Sequence, residues 1–149
     1  MVISLAVALV SLAAAVAALV LGGGDGEGDR RSALEAARLR TAAITTYDHR
    51  TLDADVAAVL QTATGEFARD YRATSAALRP TFVTAKAVSV AEVVGVGLES
   101  GDAHRAVAVV AVNQVITTAG AAPRTERNRL RMTLVRPGGT WLVARVQRL

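Results

Sequence analysis

The chain has no cysteine, which removes disulfide frameworks, thiolate nucleophiles and thiolate metal sites together. Aromatic residues make up only 3% of it, so the basic groups have no stacking platform beside them and nucleic acid is not an expected partner. Lysine is nearly missing too, since Lys86 is the one base that is not arginine. The first 21 residues contain no charged side chain at all.

That uncharged stretch, MVISLAVALVSLAAAVAALVL, would reach roughly 31 Å as a helix at about 1.5 Å per residue, which matches a hydrocarbon core of roughly 30 Å. A cleaved signal peptide would need a basic start, a shorter apolar run and small residues before the cut. Here Leu19, Val20 and Leu21 stand at that place. Residues 1–21 are therefore expected to be an uncleaved transmembrane anchor. Residues 22–31, with five glycines and three acids between 22 and 29, are expected to be a flexible linker. Residues 32–149 remain for one compact domain. Its C-terminal half is basic, with ten bases against four acids after residue 72, and suits an acidic protein surface or anionic lipid.

Within the domain, Leu34, Ala37, Thr41, Ile44 and Tyr47 recur at helical spacing, LDADVAAVLQTA fits a short second helix, and Phe67, Tyr71, Thr74 and Leu78 mark a third that Pro80 should kink or interrupt. After Lys86 the period becomes two. AVSVAEVVGVGLES alternates, SGDA turns, HRAVAVVAVNQVITT is apolar on both parities as if covered on both faces, and TERNRLRMTLVR and WLVARVQRL follow across RPGGT. Three helices and a four-stranded antiparallel meander predict an α+β fold, with the helices on one face of a curved sheet.

The order of these pieces carries a resemblance. Tyr47, Asp48, Thr51, Leu52 and Asp53 mark the first helix junction; Thr64, Gly65, Glu66, Phe67 and Tyr71 open the third helix; Trp141, Leu142 and Val143 begin the last strand. With the anchor and the long hairpin, the chain resembles the Mce-associated membrane proteins of actinobacteria. Their soluble part is similar to the cone of nuclear transport factor 2 (NTF2-like, cystatin-like), shared with the VirB8-like periplasmic subunit of type IV secretion systems. The resemblance implies a single-pass protein with its domain outside the cell membrane. It also implies a non-enzymatic accessory or stabilising role in an Mce-type lipid import complex, through contacts with the other subunits.

TYDHRTLDAD, residues 46–55, gathers the densest chemistry in the chain. The carboxylates of Asp53 and Asp55 suit the first turn of a helix, where free N–H groups point outward. As a calcium loop it fails, for no glycine stands at the sharp-turn position. Gly22 to Gly24 lack the lysine and hydroxyl of a phosphate loop. No cofactor or metal is therefore expected. A catalytic alternative follows from other members of the cone fold, the ketosteroid isomerases, which hold an acidic base inside the cone. Its candidates here are Glu92, on the parity of Val88, Val90 and Val94, with Asp48 and His49 at the rim. A bulge at VVGVG would send Glu92 outward instead. The remaining signal is the alternation of Arg127, Arg129 and Arg131 along one strand face, which offers guanidiniums to partner carboxylates or to lipid phosphates.

Overall fold

The computed structural model describes residues 26–149. The expected anchor, residues 1–21, and the first residues of the expected linker lie outside them. Among the described residues no helix is long and apolar enough to cross a membrane.

Helix α1 occupies residues 26–45 of the described chain, so residues 26–31, placed in the linker from composition, are helical. A two-residue strand β1 (Tyr47–Asp48) follows, then α2 (Leu52–Leu60) and α3 (Gly65–Thr84). The chain then runs through β2 (Val88–Gly101), β3 (Arg105–Thr117), β4 (Arg124–Val135) and β5 (Leu142–Arg148). The sheet order is β1-β2-β3-β4-β5 with every pair antiparallel, a meander of five strands where four were expected. The extra strand pairs Tyr47 with Ser89 and Asp48 with Val88, and is too short to leave a period in sequence.

The core lies between α1 and one face of the sheet. Ala33, Ala36 and Ala37 of α1 meet Ala106, Ala108 and Val110 of β3, Met132 and Leu134 of β4, and Trp141 and Val143. Small side chains on both surfaces allow helix and sheet backbones to approach closely, and Met132 and Leu134 fill the remaining depth. Where α1 ends, a buried polar network takes over. The Thr45 carbonyl accepts from Ser89 Oγ at 2.7 Å and Gln114 Nε2 at 3.0 Å, and Asn128 Nδ2 donates to Gln114 Oε1 at 2.8 Å.

Two expectations are corrected. Helix α3 is not interrupted at Pro80, which sits on an exposed turn. Among the described residues strand β3 is covered on one face only. Its other parity, Val107, Val109 and Ala111, is half-buried among neighbouring side chains with no helix of the described residues above it.

Helix α3 ends by a specific device. The Ala87 N–H donates to the Phe82 carbonyl at 2.9 Å and the Lys86 N–H to that of Val83 at 3.1 Å, with Lys86 at φ 49° between them. This is the double hydrogen bond of a left-handed helix terminus, where glycine avoids the Cβ clash that a lysine meets. Lys86→Gly should therefore raise unfolding free energy by about 1 kcal/mol, measured by chemical denaturation.

Candidate functional site

The dense cluster at residues 46–55 is used up by structure. The Asp48 carboxylate accepts from the backbone N–H and Nε of Arg50, both at 2.9 Å, and is also paired with Arg50 Nη2. Asp53 is held in a fork by Arg79 of α3, two contacts of 2.8 Å. Asp55 reaches back from α2 to accept the Asp48 N–H at 3.0 Å and the Thr51 hydroxyl at 3.1 Å. The His49 N–H donates to the Ala87 carbonyl at 2.9 Å. Each aspartate thus fastens one piece of the α1–β1–α2–α3 junction, and α2 starts at Leu52 with Asp53 and Asp55 in its first turn, as expected.

These contacts have a titration signature. Hydrogen bonds from Arg50 hold the Asp48 carboxyl well below the usual carboxylate range, and those from Arg79 lower Asp53. Backbone N–H groups of His104 and Arg105 lower Asp102 in the β2–β3 turn. A carboxyl whose folded value lies below its unfolded value contributes stability above the unfolded pKa, and that contribution is lost as pH falls through the folded value. The thermal midpoint should hold level from pH 7 to pH 5 and fall below about pH 4, near the unfolded carboxylate value. A combined Asp48→Asn, Asp53→Asn and Asp102→Asn variant should show a shallower fall in the same scan.

The alternative cavity trio is not brought together. Val93 pairs with Val112 but Gly95 with Ala111, so Val94 is an extra residue and the parity of β2 changes there. Before this bulge Val90, Glu92 and Val94 are exposed on the uncovered face; after it Val96 and Leu98 pack against the core. Glu92 thus lies across the sheet from the helices, while Asp48 is engaged by Arg50. A cleft of about 180 Å³ lies among the helices, walled by Ile44, Tyr47, Leu52, Val56, Leu78 and Phe82. Tyr47 is stacked on Phe82 at 4.8 Å, and the one carboxylate along the lining is Asp55, already occupied by hydrogen bonds. Burial raises the phenol pKa of Tyr47 and Tyr71, which keeps both protonated.

The arginine stripe stands on the uncovered face of the sheet. Arg127 is in register with Asn113 and Glu92, Arg129 with Ala111 and Gly95, Arg131 with Val109 and Gly97. The three do not behave alike. Arg131 reaches across β3 and forks onto Glu99, with contacts of 2.7 to 3.1 Å. Arg127 and Arg129 are exposed and have no ion-pair partner among the described residues. Beside them lies apolar surface: Val90, Val94 and Val115 are 62%, 53% and 45% exposed, and Val90 pairs directly with Val115. The pattern of alternate residues marked the arginines in sequence, but neither the neutralising Glu99 nor the valines sharing their face carried a local signal.

A second cluster had no sequence signal beyond a lone tryptophan. Arg136, after β4, is paired with Asp29 of α1, lies 4.7 Å over the Trp141 ring, and donates Nε to the Ala103 carbonyl at 2.8 Å. The Trp141 indole N–H donates to Ser32 Oγ at 3.0 Å. This clamp ties the start of α1 to both hairpin turns at one end of the domain.

Comparison with known proteins places this arrangement. The whole chain, residues 1–149, matches the family described as uncharacterized protein Rv1363c/MT1408-like. The protein Rv1363c of Mycobacterium tuberculosis is 31% identical over 124 residues, covering 81% of this chain and 48% of that protein, so the chain spans about half the length of this curated relative. Among solved structures, an IcmL-like type IV secretion system protein of Legionella pneumophila superposes with a TM-score of 0.67 at 13% identity, over 80% of this chain and 91% of the other. The periplasmic domain of DotI gives 0.65 at 12% identity over 78% and 92%. The VirB8 protein of Agrobacterium tumefaciens gives 0.56 at 15% identity over 78% and 90%. Identities this low show a shared fold, the VirB8-like α+β cone.

Proposed function

The chain belongs to the Rv1363c/MT1408-like family, and from that membership and its surface we propose that it is a non-enzymatic, membrane-anchored accessory subunit that works through protein contacts. In this reading residues 1–21 span the membrane and the cone lies outside it. The complex it serves is an Mce-type lipid importer. The observation that carries the proposal is the sheet face that no described helix covers, where the guanidiniums of Arg127 and Arg129, without an ion-pair partner among the described residues, border exposed Val90, Val94 and Val115. A face with apolar surface beside desolvatable cations suits a partner that presents carboxylates around an apolar centre. The resemblance to Mce-associated proteins supports the choice of complex, and the fold shared with a domain described as periplasmic supports the location.

A small lipid or steroid bound in the cone is the competing reading. The cleft beside α2 and α3, about 180 Å³, is smaller than the roughly 300 to 1,000 Å³ usual for such ligands, and the larger groove of about 490 Å³ between α3 and β5 carries Glu66, Asp70 and Arg145 on its walls.

The test is capture of the tagged full-length chain from detergent-solubilised membranes, with quantitative mass spectrometry against an unrelated single-pass protein. Enrichment of Mce-complex subunits supports the proposal. Their absence, with the chain itself recovered folded, contradicts it.

A further inference from the structure

The free edge of the sheet at β5 has begun to accept another strand. The Thr64 N–H donates to the Val143 carbonyl and the Val143 N–H to the Thr62 carbonyl, each at 2.8 Å, so residues 62–64 lie along the edge as the start of a parallel strand. At Gly65, with φ 58°, the chain leaves the edge and becomes α3. Farther along β5 that edge is open among the described residues. The Leu149 N–H donates to the Arg129 carbonyl at 2.9 Å, which sets the phase of the ladder with β4. Residues 145, 147 and 149 face β4, and Val146 and Arg148 turn their N–H and C=O groups outward. Among the described residues no other element bonds to those outward groups.

Space for a strand lies beside them. A groove of about 490 Å³ separates α3 from β5, with Phe67, Tyr71 and Val146 as its apolar lining. Glu66 and Asp70, one helical turn apart, give it an acidic wall in a chain of net charge +4. Glu66 meets Arg145 only at 3.9 Å, with both side chains more than half exposed, a contact of small worth. Asp70 has no ion-pair partner among the described residues.

We infer that this groove binds an extended segment of a partner protein, added to β5 as a further strand in line with residues 62–64, in which apolar side chains alternate with lysine or arginine. Backbone pairing with Val146 and Arg148 supplies the affinity. One side-chain parity meets Phe67 and Tyr71, and the basic residues meet Glu66 and Asp70, so strand addition gives both binding and selection. The site does not depend on which complex the protein serves.

The experiment uses the full-length chain in phosphatidylcholine nanodiscs, with signal from empty nanodiscs subtracted. Fluorescein-labelled hexapeptides of alternating valine and lysine are titrated by anisotropy, and amide exchange is followed by nuclear magnetic resonance. The valine–lysine peptide should bind and slow exchange at the Val146 and Arg148 amides about tenfold or more. Methylating the peptide amides of one parity should weaken binding about tenfold or more, while methylating the other parity leaves it unchanged. A valine–glutamate peptide, or Asp70→Lys in the protein, should also weaken it about tenfold. No binding by the valine–lysine peptide overturns the inference. So does equal tolerance of methylation at both parities, or unchanged exchange at Val146 and Arg148 with peptide bound.

Discussion

Trp141→Ala is expected to destabilise the domain by roughly 3 to 5 kcal/mol, the range for truncating a large buried aromatic. The ring is 4% exposed and belongs to the cluster that joins α1 to the sheet. Its removal leaves a cavity against Ala33, Ala36 and Ala37, whose short side chains cannot extend to fill it. Two polar groups lose their partner as well: Ser32 Oγ no longer receives the indole N–H, and the Arg136 guanidinium loses the ring beneath it. Trp141→Phe keeps most of the apolar surface and gives up the indole N–H, so it should cost about 1 kcal/mol for the hydrogen bond plus a smaller packing loss. Denaturant unfolding followed by circular dichroism separates the two. Amide exchange should further show early opening at residues 26–33 in the alanine variant, because that end of α1 is held by the Arg136–Trp141 clamp. Equal stability of the alanine variant and the parent would mean that the clamp does not hold the helix.

Reversing Arg127 and Arg129 to glutamate should reduce partner capture by about a hundredfold or more while leaving the unfolding midpoint nearly unchanged. Both side chains are exposed and neither forms an ion pair among the described residues, so the folded domain loses little. In a complex the same positions would set carboxylate against carboxylate on a desolvated face. Arg131 is left out of this variant because Glu99 already neutralises it; Arg131→Glu would bring two carboxylates together within the domain itself. Arg131→Ala therefore serves as the control, with a small effect on capture. A large effect from Arg131→Ala alone would move the contact away from the Arg127–Arg129 end of the stripe.

How far the sequence foretold this molecule depends on the range over which each feature is determined. The helical spacing of Phe67, Tyr71 and Leu78 and the alternation in residues 124–148 are local, and they gave α3, β4 and β5 directly. Strand β2 was legible as a strand, but the direction of Glu92 depended on the one extra residue at Val94. Pattern could name that bulge without deciding it. Strand β1 exists because Tyr47 and Asp48 meet Ser89 and Val88, forty residues away, and two residues have no period. The helical state of residues 26–31 runs against the glycine content of GEGDRR, where each interior glycine costs about 1 kcal/mol relative to alanine. It is explained by contacts that composition cannot show: Asp29 held by Arg136, and Ser32 by Trp141. The catalytic appearance of TYDHRTLDAD dissolved for a related reason, since Arg79, the partner of Asp53, comes from the far half of α3. Of the candidate surface, the arginines were legible and their surroundings were not, because Val90 and Val115 meet only across the β2–β3 register.

Photo-crosslinking in living cells can locate the partner on the surface of the domain. A photoreactive amino acid is placed at Val115, on the uncovered sheet face, or at Leu78, on the helical side, in the otherwise unchanged full-length chain. A crosslink is expected from position 115 to a subunit of an Mce-type complex, lost in the Arg127→Glu, Arg129→Glu background and absent from position 78. Crosslinks to that complex from position 78 alone, or none from position 115 in cells that contain the complex, would mean that the sheet face is not the docking surface.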